Sequence, residues 1–239
     1  MRAVTWQGAG HVAVETVPDP TIVEPTDAVV RITSTAICGS DLHLHGPLTR
    51  FCMRGDLLGH EAMGVVEEAG RDVAHVGPGD RVVVPSKIPR GRCWMCQRGL
   101  RSQCETTQVR SEGRGAALLW YALLHGAVPG GQAELLRVPR ADYGLVPVPD
   151  GGSPDDRYLS LSGNLPTAWP AVRRCGDVGG ATVVVLGLGP VGQFAARVAL
   201  HLGTTRVVDT DPVPERLAVF RDKDDGCIKV ILDPAAVAA

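Results

Sequence analysis

The sequence predicts a mixed β and α/β fold, in which a β-barrel or sandwich over residues 1–150 is followed by an incomplete doubly wound parallel sheet over residues 151–239. Short segments with β-branched residues fill the first part, separated by turn residues. A continuous apolar run at 181–186 leads directly into a glycine-rich turn and a helical pattern. The 29 glycines and 18 prolines suit many short strands joined by tight turns, rather than a helical bundle.

Five strands are predicted in the first part, at residues 12–17, 27–34, 62–68, 80–84 and 132–138. Turn residues such as Pro78-Gly79 and Pro129-Gly130 separate them. Many short strands of this kind are typical of a barrel or a sandwich.

The second part is predicted to alternate helices with strands. A helix is expected in the second half of residues 159–174, with Pro166 in its first turn. The apolar run at 181–186 is typical of a parallel strand that is buried on both faces. The later elements are a helix at 193–202 that ends at Gly203, a strand at 206–211 and a weaker strand at 227–232.

Charge and hydropathy argue against several classes of partner. The formal net charge of -2 gives no reason to expect nucleic acid or an acidic membrane surface. No apolar run reaches the length of a membrane span, and the N-terminus lacks the apolar core of a signal peptide. We therefore expect a cytoplasmic protein without a membrane partner, in which the seven cysteines are thiols or metal ligands.

Two segments of the first part contain residues that bind metals. Cys38 opens the segment Cys-Gly-Ser-Asp-Leu-His, and His60-Glu61 lie in the segment Gly-His-Glu-Ala-Met-Gly. A thiolate and an imidazole are ligands that Zn²⁺ prefers, and a catalytic zinc needs three protein ligands and one open position.

Together these segments resemble the catalytic-zinc half of the zinc-dependent medium-chain alcohol dehydrogenases. The motifs occur in the family's order up to about Leu217, and the pieces around 129–134, 165–169 and 213–217 look most like its formaldehyde- and threonine-dehydrogenase-like branches. The resemblance implies a GroES-like zinc-site domain over 1–150 and a Rossmann domain over 151–239. It also implies zinc and NAD as cofactors, a small alcohol or aldehyde as substrate, and the homo-oligomeric assembly usual in the family.

The resemblance implies a role for each residue around the metal. Cys38 and His60 match two zinc ligands, and Glu61 lies beside the metal in this family and can itself be a ligand. Asp41 matches an acid that accepts the remaining ring proton of His60. The family's third ligand falls at Gly163, which has no side chain to bind a metal. The site therefore depends on Glu61, or it is weak.

Cys93, Cys96 and Cys104 form a second group of thiols, with a spacing that favours metal over disulfides. The related enzymes have four cysteines here that hold a structural zinc, and the first of them is replaced by Arg90. Structural zinc normally has four ligands. Two alternatives are open, namely zinc bound by three cysteines and a water, or a reduced lobe without metal.

Gly187, Gly189 and Gly192 follow a predicted strand and open a predicted helix, the context in which such glycines bind a pyrophosphate. An acid about 20 residues later is expected to bind the ribose hydroxyls. Asp211 ends the next predicted strand and is the better candidate, with Asp209 as a competitor. An acid at this position favours NAD over NADP.

The leading hypothesis is an oxidoreductase that oxidises an alcohol or an aldehyde hydrate and transfers hydride to NAD. In it, zinc polarises the substrate oxygen, and Ser40 and His43 match the hydroxyl and imidazole that pass the proton outward. The alternative is a catalytically inactive, truncated remnant that acts as a metal-binding or partner-binding GroES-like module. This alternative is favoured by Gly163, by Arg90 and by the incomplete second domain. A truncation, a frameshift or a decayed gene would each explain the incomplete domain. A zinc-free quinone reductase is a weaker third hypothesis, since it has no need of Cys38 and His60 together.

Overall fold

The computed structural model describes residues 1–45, 49–111, 115–120, 123–149, 153–210 and 230–232. The chain divides into two compact units, of which the first contains Met1–Ser162 with Ile231–Ala239 and the second contains Gly163–Val230. The first unit is built mainly from β-strands, and the second has helices packed against parallel strands. This division into a β part and an α/β part agrees with the predicted fold class.

The first unit contains nine strands and four short α-helices among its described residues before Ser162. The strands are β1 (Arg2–Gly8), β2 (His11–Thr16), β3 (Ala28–Ile37), β4 (Ala62–Ala69), β5 (Arg81–Val84), β6 (Lys87–Ile88), β7 (Ala117–Leu118), β8 (Leu135–Val138) and β9 (Val146–Pro147). The helices are α1 (Gly39–His45), α2 (Trp94–Gln97), α3 (Ala141–Gly144) and α4 (Asp155–Leu159). The five predicted strands are confirmed as β2, β3, β4, β5 and β8, whereas the sequence pattern does not predict β1.

The main sheet of this unit is antiparallel and has β3 near its centre. β4 pairs with β3, β5 with β4 and β9 with β5, while β8 pairs with the first residues of β3. The inward-facing residues, such as Val30, Val66 and Leu136, are buried in one core cluster. The sequence predicts a barrel or a sandwich, and the described strands form an open antiparallel sheet and not a closed barrel. The β1–β2 hairpin lies outside this sheet and meets the neighbouring segments through the bridges Ala3–Ala133 and Thr5–Leu57 and through backbone hydrogen bonds such as the one from Val4 to the Gln132 carbonyl.

The second unit contains α5 (Asn164–Arg173), β10 (Thr182–Leu186), α6 (Pro190–His201) and β11 (Arg206–Thr210). β10 and β11 are parallel, with Thr182 opposite Arg206. These elements confirm the predicted helices and strands, and α6 begins earlier than predicted because proline fits the first position of a helix. The core of the unit lies between the two helices and one face of the two strands.

The prediction that the 181–186 strand is buried on both faces is wrong for the described residues. Val184 is 59% exposed and Leu186 is 76% exposed. Val183, on the other face, packs against the cluster formed with α5 and α6. In the described part of the second unit, helices cover only that face of β10, so alternate side chains are left exposed.

The weak strand expected at 227–232 as a third strand of the doubly wound sheet is also placed differently. The strand β12 (Val230–Leu232) lies beside β3 in the main sheet of the first unit, which thereby has six strands. β8 pairs with β3 only over Ala28–Arg31, so the rest of that edge of β3 is available for another strand. Among the described residues, no helix is long and apolar enough to cross a membrane.

Candidate functional site

The antiparallel pairing of β3 and β4 brings the two metal-binding segments together. Thr35, near the end of β3, lies opposite Ala62, the first residue of β4. Cys38 comes directly after β3, and His60-Glu61 come directly before β4. Because neighbouring antiparallel strands place the end of one beside the start of the next, the three side chains converge where β3 ends and β4 begins.

Cys38, His60 and Glu61 form a compact, largely buried group. One ligand atom from each of them lies within 4.8 Å of the other two. The exposed fraction is 8% for His60 and 1% for Glu61, while Cys38 is partly buried. A buried charge is costly unless it is paired or coordinates a metal. This combination of sulfur, nitrogen and oxygen ligands fits Zn²⁺.

Asp41 connects two members of this group. Its Oδ1 lies 2.9 Å from Nδ1 of His60, and its Oδ2 accepts a hydrogen bond of 2.8 Å from the backbone N–H of Cys38. Burial alone would lower the pKa of His60, but the Asp41 carboxylate and Cys38 raise it to about 10. With Nδ1 facing Asp41, Nε2 is the nitrogen that can face a metal. A carboxylate behind a ligating histidine is the usual support of a zinc site.

The turn before His60 is fixed by a close approach of two backbone segments. Gly59 has a φ of +95°, and a Cβ atom built on it would lie 2.5 Å from Cγ of Gln132 and 2.6 Å from the Gln132 backbone nitrogen. The backbone N–H groups of Gly131 and Gln132 donate hydrogen bonds to the carbonyls of Gly59 and Leu58. Only glycine therefore fits at position 59 without a shift of the chain.

The backbone carbonyl of Glu61 is fixed by hydrogen bonds from residues of β3. The backbone N–H of Ala36 and the hydroxyl of Thr35 both donate hydrogen bonds of 2.9 Å to the Glu61 carbonyl. Because both partners lie near the end of β3, they fix the backbone of Glu61 relative to Cys38.

Trp120 is a neighbour of the site that the sequence analysis missed. Its ring is stacked on that of His60, with centroids 6.1 Å apart and an angle of 12° between the planes. It is 2% exposed, packs with Trp6 and Leu58, and has a φ of +39°, which is uncommon for a large side chain. A single tryptophan in a weakly patterned segment gives no sequence signal for such a contact.

The two residues predicted to relay a proton both lie on α1. Ser40 is half-buried, and His43, three residues later, is exposed. Residues three apart lie on one face of a helix. Gly163, the position at which the resemblance implies the family's third ligand, is the residue before α5 and belongs to the second unit. Its φ is −148°, so the position does not require glycine for backbone reasons.

Cys93, Cys96 and Cys104 form a second group, which we call the thiol lobe. Sγ of Cys93 lies 3.4 Å from Sγ of Cys96 and 3.8 Å from Sγ of Cys104. The backbone N–H of Arg90 donates a hydrogen bond of 3.3 Å to Sγ of Cys104, and the Arg90 side chain is exposed. Burial by itself raises the pKa of Cys104, but hydrogen bonds from Arg90 and Thr107 lower it to about 6. Three sulfur atoms in this arrangement fit a soft metal ion.

The glycine-rich turn links β10 to α6. Gly187 has a φ of +95°, Gly189 directly precedes α6, and Gly192 lies in its first turn. A Cβ atom on Gly192 would lie 1.8 Å from the Gly187 carbonyl oxygen, whereas one on Gly189 would meet nothing within 4 Å. Gly192 therefore allows the tight turn, and Gly189 leaves open space at the N-terminus of a 12-residue helix. This arrangement fits a phosphate group.

Asp211, the acid expected to bind the ribose, cannot be placed relative to this turn. β11 ends at Thr210, and Asp211 lies outside the described residues. The competing Asp209 lies within β11, opposite Val185 of β10.

Comparison with known proteins identifies the first unit. The family model of the alcohol dehydrogenase GroES-like domain matches residues 24–150, more than half of the chain. The chain belongs to this family. The matched range includes Cys38, His60, Glu61 and the thiol lobe, and it ends before the glycine-rich turn.

Individual relatives extend the similarity over nine tenths of the chain. A zinc-type alcohol dehydrogenase-like protein, AdhB, of Bacillus subtilis is 43% identical over 91% of this chain. A glutathione-independent formaldehyde dehydrogenase of Pseudomonas aeruginosa is 35% identical over 91% of it. The chain spans 57% and 55% of the lengths of these two relatives. The solved structure of alcohol dehydrogenase TADH from Thermus sp. ATN1 matches 91% of the chain and 60% of its own, at a TM-score of 0.81 and 37% identity.

Proposed function

We propose that this chain carries the zinc site and the dinucleotide-binding turn of a dehydrogenase that oxidises an alcohol or an aldehyde hydrate with NAD. The observation that carries the proposal is the convergence of Cys38, His60 and Glu61 within 4.8 Å. The names of the relatives, which include zinc-type alcohol dehydrogenase-like proteins and a formaldehyde dehydrogenase, support this chemistry.

Cys38, His60 and Glu61 would hold the metal, with Glu61 in place of the ligand that the family has where this chain has Gly163. Zinc supplies a Lewis acid that polarises the substrate oxygen and lowers the pKa of its hydroxyl, and NAD supplies the hydride acceptor. Asp41 orients the ring of His60 through its contact at 2.9 Å. A carboxylate in this position accepts the proton of Nδ1, so that Nε2 is the nitrogen whose lone pair would be directed at the metal.

Ser40 and His43 would move the proton that the substrate hydroxyl loses. Ser40 is half-buried, so its hydroxyl can accept the proton within the site and donate its own. His43 is exposed on the same face of α1 and can pass the proton to solvent.

The turn at Gly187, Gly189 and Gly192 would bind the pyrophosphate of the dinucleotide. Asp211 would accept hydrogen bonds from the ribose hydroxyls and repel the phosphate of NADP. Titration of both cofactors by calorimetry tests this role, with tighter binding of NAD expected. Equal binding of the two, or tighter binding of NADP, would show that Asp211 does not select the cofactor.

The metal site is tested by counting zinc per chain. In a background where the three lobe cysteines are serine, Cys38→Ser and His60→Ala should each remove the bound zinc, whereas Cys175→Ser, at an exposed thiol, should not. Zinc content that is unchanged in both site variants would rule out the proposed ligands.

The second candidate function is a metal-binding module without catalysis, which Gly163 favours because it offers no third ligand of the usual kind. NADH formation separates the two functions. The chain is loaded with zinc and assayed with formaldehyde and a panel of short alcohols. NADH formation that Cys38→Ser abolishes supports the dehydrogenase, while zinc binding without NADH formation supports the module.

A further inference from the structure

The three sulfur atoms of the thiol lobe lie close together. In the described part of the chain, no His, Cys, Asp or Glu side chain lies close enough to be the fourth ligand of a tetrahedral zinc site. Sγ of Cys93 is 3.4 Å from Sγ of Cys96 and 3.8 Å from Sγ of Cys104. A disulfide requires about 2 Å, which small side-chain movements in this lobe can reach. We propose that the lobe is a redox modification site, in which a hydroperoxide oxidises Cys93 and a neighbouring cysteine then forms a disulfide with it.

The burial of the three thiols sets the order of events. Cys96 is 6% exposed and Cys104 is fully buried, whereas Cys93 is partly exposed. Oxidation of cysteine needs both thiolate character and access to the sulfur. Of the three lobe thiols only Cys93 is accessible, so the oxidant reaches Cys93 first. Both buried thiols lie within 4 Å of it and can resolve the product.

Local structure allows the movement that bond formation needs. Cys93 precedes α2, a helix of four residues, and Cys104 follows a turn of 3₁₀ helix at Arg101–Gln103. The core of the lobe consists of Cys96, Cys104 and Ala116, with Cys93 packed against it. Such a small core, without a strand of the main sheet, can change its packing locally.

The chemistry balances with hydrogen peroxide as the oxidant. The sulfur of Cys93 attacks one peroxide oxygen, so that an S–O bond forms, the O–O bond breaks and one water leaves. Sγ of Cys96 or Cys104 then attacks the sulfenic sulfur, so that an S–S bond forms and the S–O bond breaks. The departing hydroxide takes the proton of the attacking thiol and leaves as the second water. Two thiols lose two electrons, and the peroxide gains them.

Peptide mapping of the metal-free chain tests the proposal. The chain is stripped of metal with a chelator, treated with hydrogen peroxide and alkylated with N-ethylmaleimide before digestion. We expect two of the three lobe cysteines to remain unalkylated. The two peptides that contain them should be linked, with a mass two hydrogen atoms below the sum of the two free-thiol peptides. Cys175, which is exposed and distant in sequence, serves as the internal reference because it should remain alkylated or carry only oxygen adducts.

Two variants distinguish this route from general oxidation. Cys96→Ser should still form the Cys93–Cys104 disulfide at a rate similar to that of the parent chain. Cys93→Ser should slow the loss of lobe thiols by about tenfold or more, because both remaining thiols are buried. The proposal is overturned if Cys93 accumulates sulfinic acid without a disulfide, or if Cys93→Ser is oxidised as fast as the parent. Neither outcome depends on the Cys38–His60–Glu61 site or on dehydrogenase activity.

Discussion

The two thiol-containing sites of this chain are built on different supports. Cys38, His60 and Glu61 lie at the joined ends of β3 and β4, in the middle of the main sheet. Asp41 contacts the ring of His60 and accepts a hydrogen bond from the backbone of Cys38, and Thr35 donates a hydrogen bond to the Glu61 carbonyl. The thiol lobe depends on one-turn helices and on a core of a few small residues.

This difference predicts how each site responds to change. A site at the ends of two sheet strands shares the stability of the whole unit. A substitution that lowers the stability of the sheet is therefore expected to disturb the metal site as well. The lobe can rearrange while the sheet stays folded. The two sites therefore suit different roles, since a catalytic metal needs fixed ligands and a redox thiol pair needs room to move.

The largest expected effect comes from a pair of glycines, one at each site. Both have positive φ, at +95° for Gly59 and +75° for Gly99 of the lobe. Only Gly59 is crowded, because a Cβ atom there would lie within 2.6 Å of Gln132 atoms, while one on Gly99 would meet nothing within 4 Å. Gly59→Ala should lower the free energy of unfolding by about 2–5 kcal/mol, from backbone strain plus overpacking. Gly99→Ala should cost about 1–2 kcal/mol, from strain alone.

Urea denaturation of both variants, followed by zinc counting, measures this difference. Gly59→Ala should also reduce the zinc bound at His60, whereas Gly99→Ala should leave it unchanged. Similar losses of stability in the two variants would contradict the view that the sheet site is the more tightly constrained.

The next effect concerns the support of the metal ligand. Asp41→Asn should lower zinc affinity at the sheet site by about 10–100-fold, because the carboxylate behind His60 loses its charge. Asp142→Asn is the matched control, since Asp142 also accepts backbone N–H bonds, from Ala74 and His75, but has no contact with His60 in the structure. Competition with a coloured chelator, in the background without lobe cysteines, gives both affinities. An Asp41→Asn chain that binds zinc as tightly as the control would show that the contact does not orient the ligand.

The sequence predicts the strands next to the sheet site better than it predicts the contacts between distant loops. β3 and β4, which lie next to Cys38 and His60 in the sequence, could be predicted because β-branched alternation marks the strands and turn residues mark their ends. The contacts of Trp120 and Gln132 could not, because they join loops far apart in sequence and no local pattern records such packing. The exposed face of β10 was predicted wrongly for a related reason. An apolar run such as Val183–Leu186 indicates a strand, but it does not show which elements cover its two faces.

The smallest expected effect is on stability and concerns the Asp155 carboxylate, which links two strands of the main sheet. Asp155, at the start of α4, accepts hydrogen bonds from Thr33 and Ser34 of β3 and from Arg81 of β5. Burial alone would raise the pKa of Asp155, but the Thr33 hydroxyl and Arg81 hold it below its ordinary value. A depressed pKa means that the ionised form stabilises the fold above the ordinary value of about 4, and that this stabilisation is lost as the pH falls through the folded value. Asp155→Asn should therefore cost about 1–2 kcal/mol at pH 7, and the difference from the parent chain should shrink as the pH is lowered below about 4. Urea denaturation across this range measures it, with hydrogen exchange to locate the change in β3 and β5 rather than in the lobe. A difference that stays constant with pH would show that Asp155 contributes through packing and not through its charge.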